Sequence, residues 1–346
     1  MIQKRLKSLS RGKPGVPPRN HLRKVGLVPL KLGTLAGTTI GAIVVYVVRP
    51  QRFSYPHVKS IREAITFSKH VVVSRIASYV HTNSDFLVAG RMLGKEALGH
   101  YTFAWTVANL PVEKITAVIN QVTFPLFSSV QSDHSAVRRY LLTLTEALSL
   151  LTFPLAFGLV AEARGFVLVV LGEKWLGAVA PLQVLAAYAA IRSIAPVVSQ
   201  ILLVSGESRF LMNFSVVAAI LLPVAFFCGS RWGTVGIALA WLLIQPFIIL
   251  VACRRLFMKI GISASEYLRS LLPAGGATLF MIVVLQLTKS FHAHGLNPAL
   301  RLGTDVVIGA GAYAGWLALF YRDRLYTFLQ VLRRTTSIEA VNEQTA

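Results

Sequence analysis

Apolar residues gather into nine runs along the chain, at 32–48, 70–90, 101–127, 141–171, 179–204, 210–228, 235–252, 271–287 and 302–321. Each is close to the roughly 20 residues an α-helix needs to cross a bilayer's hydrocarbon core, and short polar connections separate them. The pattern predicts an all-α chain, a polytopic bundle of transmembrane helices with about nine spans. The run at 141–171 is longer than an upright helix needs, so it is expected to tilt or to carry an interfacial turn beyond Glu162 and Arg164, as one span. Pro111, Pro125, Pro154, Pro196, Pro223 and Pro246 lie inside runs, where neighbouring membrane helices rescue the freed backbone groups.

A second pattern sits inside the first. Ser74, Ser78, His81 and Asp85 are spaced four, three and four, which puts them on one helix face, with Arg75 beside them. The next run repeats the arrangement with Asn109, Glu113, Thr116, Asn120 and Thr123, and sets Lys114 beside Glu113. Arg192 stands deep in the fifth run, with Tyr188 and Ser199 on roughly the same face. An ionised group at bilayer depth costs from about 2.5 kcal/mol upward and calls for a partner, a wet cavity or a function.

Arg75, Ser78, His81, Asp85, Glu113, Lys114, Asn120 and Arg192 are therefore the candidates for cavity lining and substrate binding. Each has a structural alternative. The stripes can pack through interhelical hydrogen bonds, Glu113 can pair with Lys114, and Arg192 can be balanced by a ligand anion or by Glu113 or Asp85. The guanidinium fork of Arg192 suits the paired oxygens of a diphosphate.

Composition agrees with the run pattern: 54% of residues are apolar and 14% charged, where soluble domains carry roughly 25% charged residues. The net charge of +21 does not point to nucleic acid, because the basic residues fall at the ends of apolar runs. Arg138 and Arg139, Arg209, Arg254, Arg255, Lys259 and Arg269, and then Arg322, Arg324, Arg333 and Arg334 crowd one set of alternate loops. The other set is poorer in them, so the first is assigned to the cytoplasm together with the C-terminus. The basic stretch 1–31 conflicts with that assignment and is expected to be a disordered or surface-lying arm. A start placed inside a longer reading frame accounts for the conflict equally.

Cys228 and Cys253 make no disulfide framework or metal-ligand set, and no HExxH, DxD or glycine-rich phosphate loop is present. No cofactor, metal or covalent chemistry is expected.

The stretch Asp85-Phe-Leu-Val-Ala-Gly90-Arg-Met-Leu-Gly94, then Leu98-Gly99-His-Tyr101 and Phe124-Pro125, opens a longer string. Arg138-Arg139-Tyr140, Leu171-Gly172-Glu-Lys-Trp175 and Ser205-Gly206-Glu-Ser208 continue it. This order resembles the polysaccharide transporter family, the lipid-linked oligosaccharide flippases of the multidrug/oligosaccharidyl-lipid/polysaccharide exporter superfamily. The resemblance implies a two-lobed exporter fold, of which this chain looks like the C-terminal lobe plus two extra helices, lacking most of the N-terminal lobe.

On that likeness, 32–69 is the last helix of a truncated first lobe with a linker, 70–270 a six-helix lobe, 271–321 two additional helices and 322–346 a cytoplasmic tail. The implied function is the flipping of an undecaprenyl-diphosphate-linked oligosaccharide across a bacterial inner membrane for O-antigen, exopolysaccharide or capsule. Membrane lipids, a polysaccharide polymerase and export proteins are the implied partners. A non-transporting remnant or scaffold is the alternative the truncated lobe favours. A membrane glycosyltransferase or acyltransferase would need clustered acids, whereas Glu96, Glu162 and Glu173 are dispersed.

Overall fold

The computed structural model describes residues 58–129, 133–291 and 297–322, with a few isolated positions before them. The side chains of 58–64, 66–67, 118–126 and 128–129 are excepted. The basic arm, most of the run at 32–48, the loop histidines His292 and His294, and the C-terminal tail beyond 322 lie outside the described residues. So does the side chain of Asn120. By internal contacts the chain divides into Met1–Arg62 and Glu63–Ala346. The second unit holds everything below except the first residues of α1.

Eight long helices are described: α1 Val58–Val88, α2 Gly94–Ser129, α3 His134–Val170, α4 Val179–Val204, α5 Ser208–Gly229, α6 Gly233–Ile260, α7 Ala264–Phe291 and α8 Pro298–Phe320. Each of the last eight apolar runs falls within one of them, to within two residues at its end, and 141–171 is a single helix up to Val170. Asp133 caps α3, its Oδ1 accepting from the backbone N–H of Ser135 and Ala136 at 2.9 and 3.2 Å. Gly261 ends α6 with φ 68°, a left-handed conformation that a side chain would strain.

Five segments are long and apolar enough to cross a membrane: His134–Val170, Glu173–Val204, Ser208–Ile260, Ala264–Ser290 and Pro298–Phe320, the third containing both α5 and α6. The protein is a multi-pass membrane protein. The expected count of nine spans goes beyond this, resting also on the run at 32–48 and on α1 and α2, whose polar stripes lower their hydropathy. The outer faces are apolar: Ile220, Val224 and Phe227 on α5, Leu243, Phe247 and Leu250 on α6 and Leu272, Leu279 and Val283 on α7 are exposed. Water would not tolerate so continuous an apolar surface, whereas lipid makes it the cheapest one.

Helix α4 is the central post, packed on α2, α3 and α6, while α7 and α8 pack together and against α3. Two clusters of buried side chains stack along α4. One holds Leu182, Leu185 and Tyr188 with Tyr101, Phe226 and Trp241. The other holds Val197, Ile201 and Leu202 with Leu141, Leu148 and Leu256. Lipid tails are as apolar as these residues, so close packing and internal hydrogen bonds hold the clusters together rather than escape from water.

Ion pairs fix the directions of the helices. Arg138, at the start of α3, binds Glu266 at the start of α7, and Glu162 near the end of α3 lies 2.9 Å from Lys289 near the end of α7. The two helices are therefore parallel, as required if the chain reverses at every turn between them. Glu207 with Lys259 and Arg255 joins the α4–α5 turn to the end of α6. These contacts agree with the alternation of basic and less basic loops.

Candidate functional site

Asp85 is fully buried near the end of α1, and three donors meet its carboxylate. The Tyr101 hydroxyl on α2 donates to Oδ2 at 2.9 Å, Trp241 Nε1 on α6 donates to the same oxygen at 3.0 Å, and the backbone N–H of Phe86 donates to Oδ1 at 2.9 Å. A carboxylate with this many donors is satisfied without water, so Asp85 serves as a junction of three helices. Immediately after it, Ala89–Leu93 forms a π-helical turn ending at Gly94, φ 88°. Such a turn admits one extra residue and rotates the following face.

Around that junction lies an aromatic cluster. Tyr188 stacks on Trp241 with ring centroids 5.2 Å apart, Trp105 is 5.3 Å from Trp241, and His81 is 6.3 Å from it. Arg192, one turn beyond Tyr188 on α4 and between the two buried clusters, lays its guanidinium over Trp105 at 5.7 Å. Its Nη1 donates to Asn109 Oδ1 and lies 3.4 Å from Glu113 Oε1. Arg192 remains one-third exposed and Glu113 about half. The charge is thus held over an aromatic floor with a loose acid partner, and part of the fork stays open. Lys114 is exposed beside Glu113, with no ion pair between the two among the described residues.

The stripe on α1 divides. Ser74 Oγ is 2.8 Å from Ser215 Oγ on α5, and Ser78 Oγ donates to Ser215 Oγ at 3.5 Å. His81 Nδ1 bonds the carbonyl oxygen of Ala77 at 3.2 Å, which requires the proton on that nitrogen. Since α1 meets α5 chiefly through these side chains, the backbones stand apart and leave a cavity of about 360 Å³. Its polar lining is Ser74, Arg75, Ser78 and His81 from α1, Ser199 and Gln200 from α4, Ser208 and Ser215 from α5 and Gln245 from α6. An apolar cavity of about 510 Å³ lies among α3, α7 and α8, lined by Leu155, Leu159, Phe166, Met281, Leu285, Val306 and Tyr313, with Glu162 and Asp305 at its wall.

The structure therefore brings five of the sequence candidates into two places and encloses a sixth, while Lys114 is exposed outside both and the side chain of Asn120 is outside the described residues. Arg75, Ser78 and His81 share the polar cavity, Glu113 and Arg192 share the aromatic-floored cluster, and Asp85 is enclosed. Sequence periodicity missed Asn109 as the near partner of Arg192, Tyr101 and Trp241 as donors to Asp85, and Ser208, Ser215 and Gln245 on the far wall. Asn109 was visible as part of a polar stripe; Gln245, beside Pro246 in a hydrophobic run, was the available signal for the rest. Among the described residues no group of three or more His, Cys, Asp or Glu forms a metal site.

Comparison with known proteins bears out the family resemblance. Residues 23–180 match the family described as "Polysaccharide biosynthesis protein". The chain is 28% identical over 266 residues to the teichuronic acid biosynthesis protein TuaB of Bacillus subtilis, a match covering 76% of this chain and 55% of that protein. It is 27% identical over 271 residues to the succinoglycan biosynthesis transport protein ExoT of Rhizobium meliloti, covering 77% of this chain and 54% of the relative. With the lipopolysaccharide biosynthesis protein WzxC of Escherichia coli it shares 29% identity over 187 residues, 54% of this chain and 38% of WzxC. The chain spans about half the length of the curated relatives TuaB and ExoT. Among solved structures, the lipid II flippase MurJ in an inward closed conformation superposes with a TM-score of 0.61 at 15% identity, over 79% of this chain and 57% of MurJ. Over the matched part the chain shares the fold of MurJ.

Proposed function

We propose that the protein moves an undecaprenyl-diphosphate-linked oligosaccharide across the bacterial inner membrane for polysaccharide assembly, acting as a transporter and not as an enzyme. The observation that carries this reading is Arg192. It is a guanidinium in the middle of a membrane helix, partly open, over an aromatic floor, with Asn109 and a loosely placed Glu113 as partners. A fork of donors held this way suits a diphosphate, and Glu113 keeps the charge balanced while no ligand is present. The apolar cavity among α3, α7 and α8 suits the isoprenoid chain, because its lining is almost wholly hydrocarbon.

Residues 70–270 form the six-helix lobe and 271–321 the added pair in this reading, with the basic loop set and the C-terminus in the cytoplasm. Alternating access about a site near the midplane supplies movement without covalent chemistry. A polysaccharide polymerase and export proteins receive the product. The names of the relatives as biosynthesis and transport proteins support this assignment.

The test is a flipping assay in proteoliposomes with a fluorescent lipid-linked diphosphate oligosaccharide, read by protection from a membrane-impermeant quencher. Arg192→Ala is expected to slow exchange between leaflets at least about tenfold, the scale of one lost charge-assisted hydrogen-bond pair. Exchange no faster than in protein-free liposomes by the unaltered protein, assayed together with any further part of its reading frame, would reject the transport reading.

A further inference from the structure

We infer that the polar cavity between α1, α4, α5 and α6 is a second anion site, which takes the phosphate or diphosphate headgroup of a lipid. The inference concerns equilibrium binding at a place distinct from Arg192, which lies seven residues before Ser199 on α4, about 10 Å along the helix.

Three observations carry it. First, the lining contains one cation, Arg75, and no Asp or Glu, so the cavity repels cations and favours an oxyanion. Second, no ion pair engages Arg75 among the described residues, in contrast to Arg192, Arg138 and Arg255, which all have acid partners. Arg75 is itself exposed, lining the cavity from a helix face that also shows Val72, Val73 and Ile76, so its charge is left for a ligand to balance. Third, the opposite walls are built from short neutral donors and one amide. Ser208 and Ser215 are buried, and Gln245 carries a buried side-chain oxygen with no hydrogen-bond partner. Amide orientation is set by the hydrogen-bond network, so turning Gln245 over presents its NH₂ group to an anion in place of that orphaned oxygen.

Size selects the ligand further. At about 360 Å³ the cavity is near the lower end of small-molecule sites, which run from roughly 300 to 1,000 Å³. It holds a headgroup phosphate and not an oligosaccharide. Its α4 and α5 walls, Ser199 to Leu203 and Ser208 to Ala218, run inward from the end of the bundle where Glu207 meets Lys259, while His81 and Gln245 line it from farther along α1 and α6. On the proposed topology that end is in the cytoplasmic leaflet, where lipid phosphates are at hand.

The phosphate has two sources, an isoprenoid diphosphate or an ordinary anionic phospholipid, and both arms belong in one experiment. The purified full chain, in nanodiscs of neutral lipid, is titrated with farnesyl diphosphate, with short-chain phosphatidylglycerol and with inorganic pyrophosphate, and heat of binding is recorded. Made on an Arg192→Ala chain, so that the other anion site is silent, Arg75→Gln is expected to weaken the tightest of these at least about tenfold and Gln245→Leu a few-fold, with Arg75→Lys between them. Unchanged melting of each variant separates loss of the site from loss of the fold. Tighter binding of farnesyl diphosphate than of phosphatidylglycerol assigns the site to the transported lipid, and the reverse order assigns it to a resident phospholipid. Binding of no phosphate probe, or binding indifferent to both Arg75→Gln and Gln245→Leu, overturns the inference. Because nothing is transported in this measurement, a protein that binds but does not flip leaves the site standing and removes only the transport reading.

Discussion

The hydroxyl of Tyr101 donates to Asp85 Oδ2 across 2.9 Å, joining the start of α2 to the end of α1 sixteen residues earlier, and Trp241 of α6 donates to the same oxygen. Replacing the shared acceptor strands both donors in a buried, apolar setting. Asp85→Leu should therefore cost more than Tyr101→Phe, which removes one donor and leaves two, each orphaned group being worth about 1–3 kcal/mol. In the double variant Asp85→Leu/Tyr101→Phe one orphan disappears with its partner, so the cost should be less than the sum. Thermal unfolding in detergent, followed by tryptophan fluorescence, measures all three; strictly additive losses would show that the hydrogen bond contributes nothing.

The turn between α5 and α6 depends on two glycines. A Cβ on Gly229 would lie 2.5 Å from the carbonyl oxygen of Gly236, and one on Gly236 would lie 2.0 Å from that of Gly229. Backbone, unlike a flexible side chain, cannot yield to such a clash. Gly229→Ala and Gly236→Ala are each expected to lower the melting temperature in detergent by several degrees or to prevent accumulation. Gly99→Ala and Gly275→Ala, where a Cβ meets nothing within 4 Å, should be nearly silent. Equal tolerance of all four would mean the two helices are not this close.

Helix positions were legible because hydrophobic length alone marks a span: 179–204 in the sequence is Val179–Val204 in the structure. The site was legible only in part. Periodicity places Ser74, Ser78, His81 and Asp85 on one face of α1, but says nothing about which helix that face meets. Asp85 turned out to face Tyr101 and Trp241, while Ser74 and Ser78 face Ser215. A single serine or glutamine in an apolar run, such as Ser215 or Gln245, carries no pattern of its own and acquires meaning only from what packs beside it. The π-helical turn at Ala89–Leu93 likewise has no periodic signature, although Gly90 and Gly94 were noticed as a motif.

Glu207 gives the fold a pH dependence. Its carboxylate accepts from Lys259 at 3.0 Å and from Arg255 at 3.2 Å, and these partners, Lys259 foremost, hold it below the ordinary glutamate value of 4.5. A carboxylate depressed in the folded state stabilises the fold above its unfolded value, and the contribution disappears as pH falls through the folded value. The melting temperature should therefore fall as pH drops below about 4.5, and Glu207→Gln should flatten that part of the curve while lowering the plateau near neutrality. Added salt should shrink the difference, because the pairs are at the surface. An identical acid limb in the variant would place the pH response elsewhere.

Water access to the polar cavity can be read with single cysteines, once Cys228, which is exposed, and Cys253, which is buried, have been replaced by alanine. Ser78, Ser199 and Gln245 line the cavity, whereas Leu221 and Phe247 are exposed on the outer faces of α5 and α6, where lipid covers them. A water-soluble thiol reagent needs both water and an ionised thiol, and hydrocarbon supplies neither. Cysteines at the three cavity positions should thus be modified at least about tenfold faster in intact membranes than those at Leu221 and Phe247, since a thiolate in hydrocarbon is costlier than a tenfold rate ratio requires. Pyrophosphate should slow the cavity set if the second anion site is filled, and should leave cysteines at Leu221 and Phe247 unchanged. Faster reaction at Leu221 and Phe247 than at Ser199 and Gln245 would mean that the polar face is sealed by packing, with Ser74, Ser78 and Ser215 acting as interhelical hydrogen bonds and nothing more.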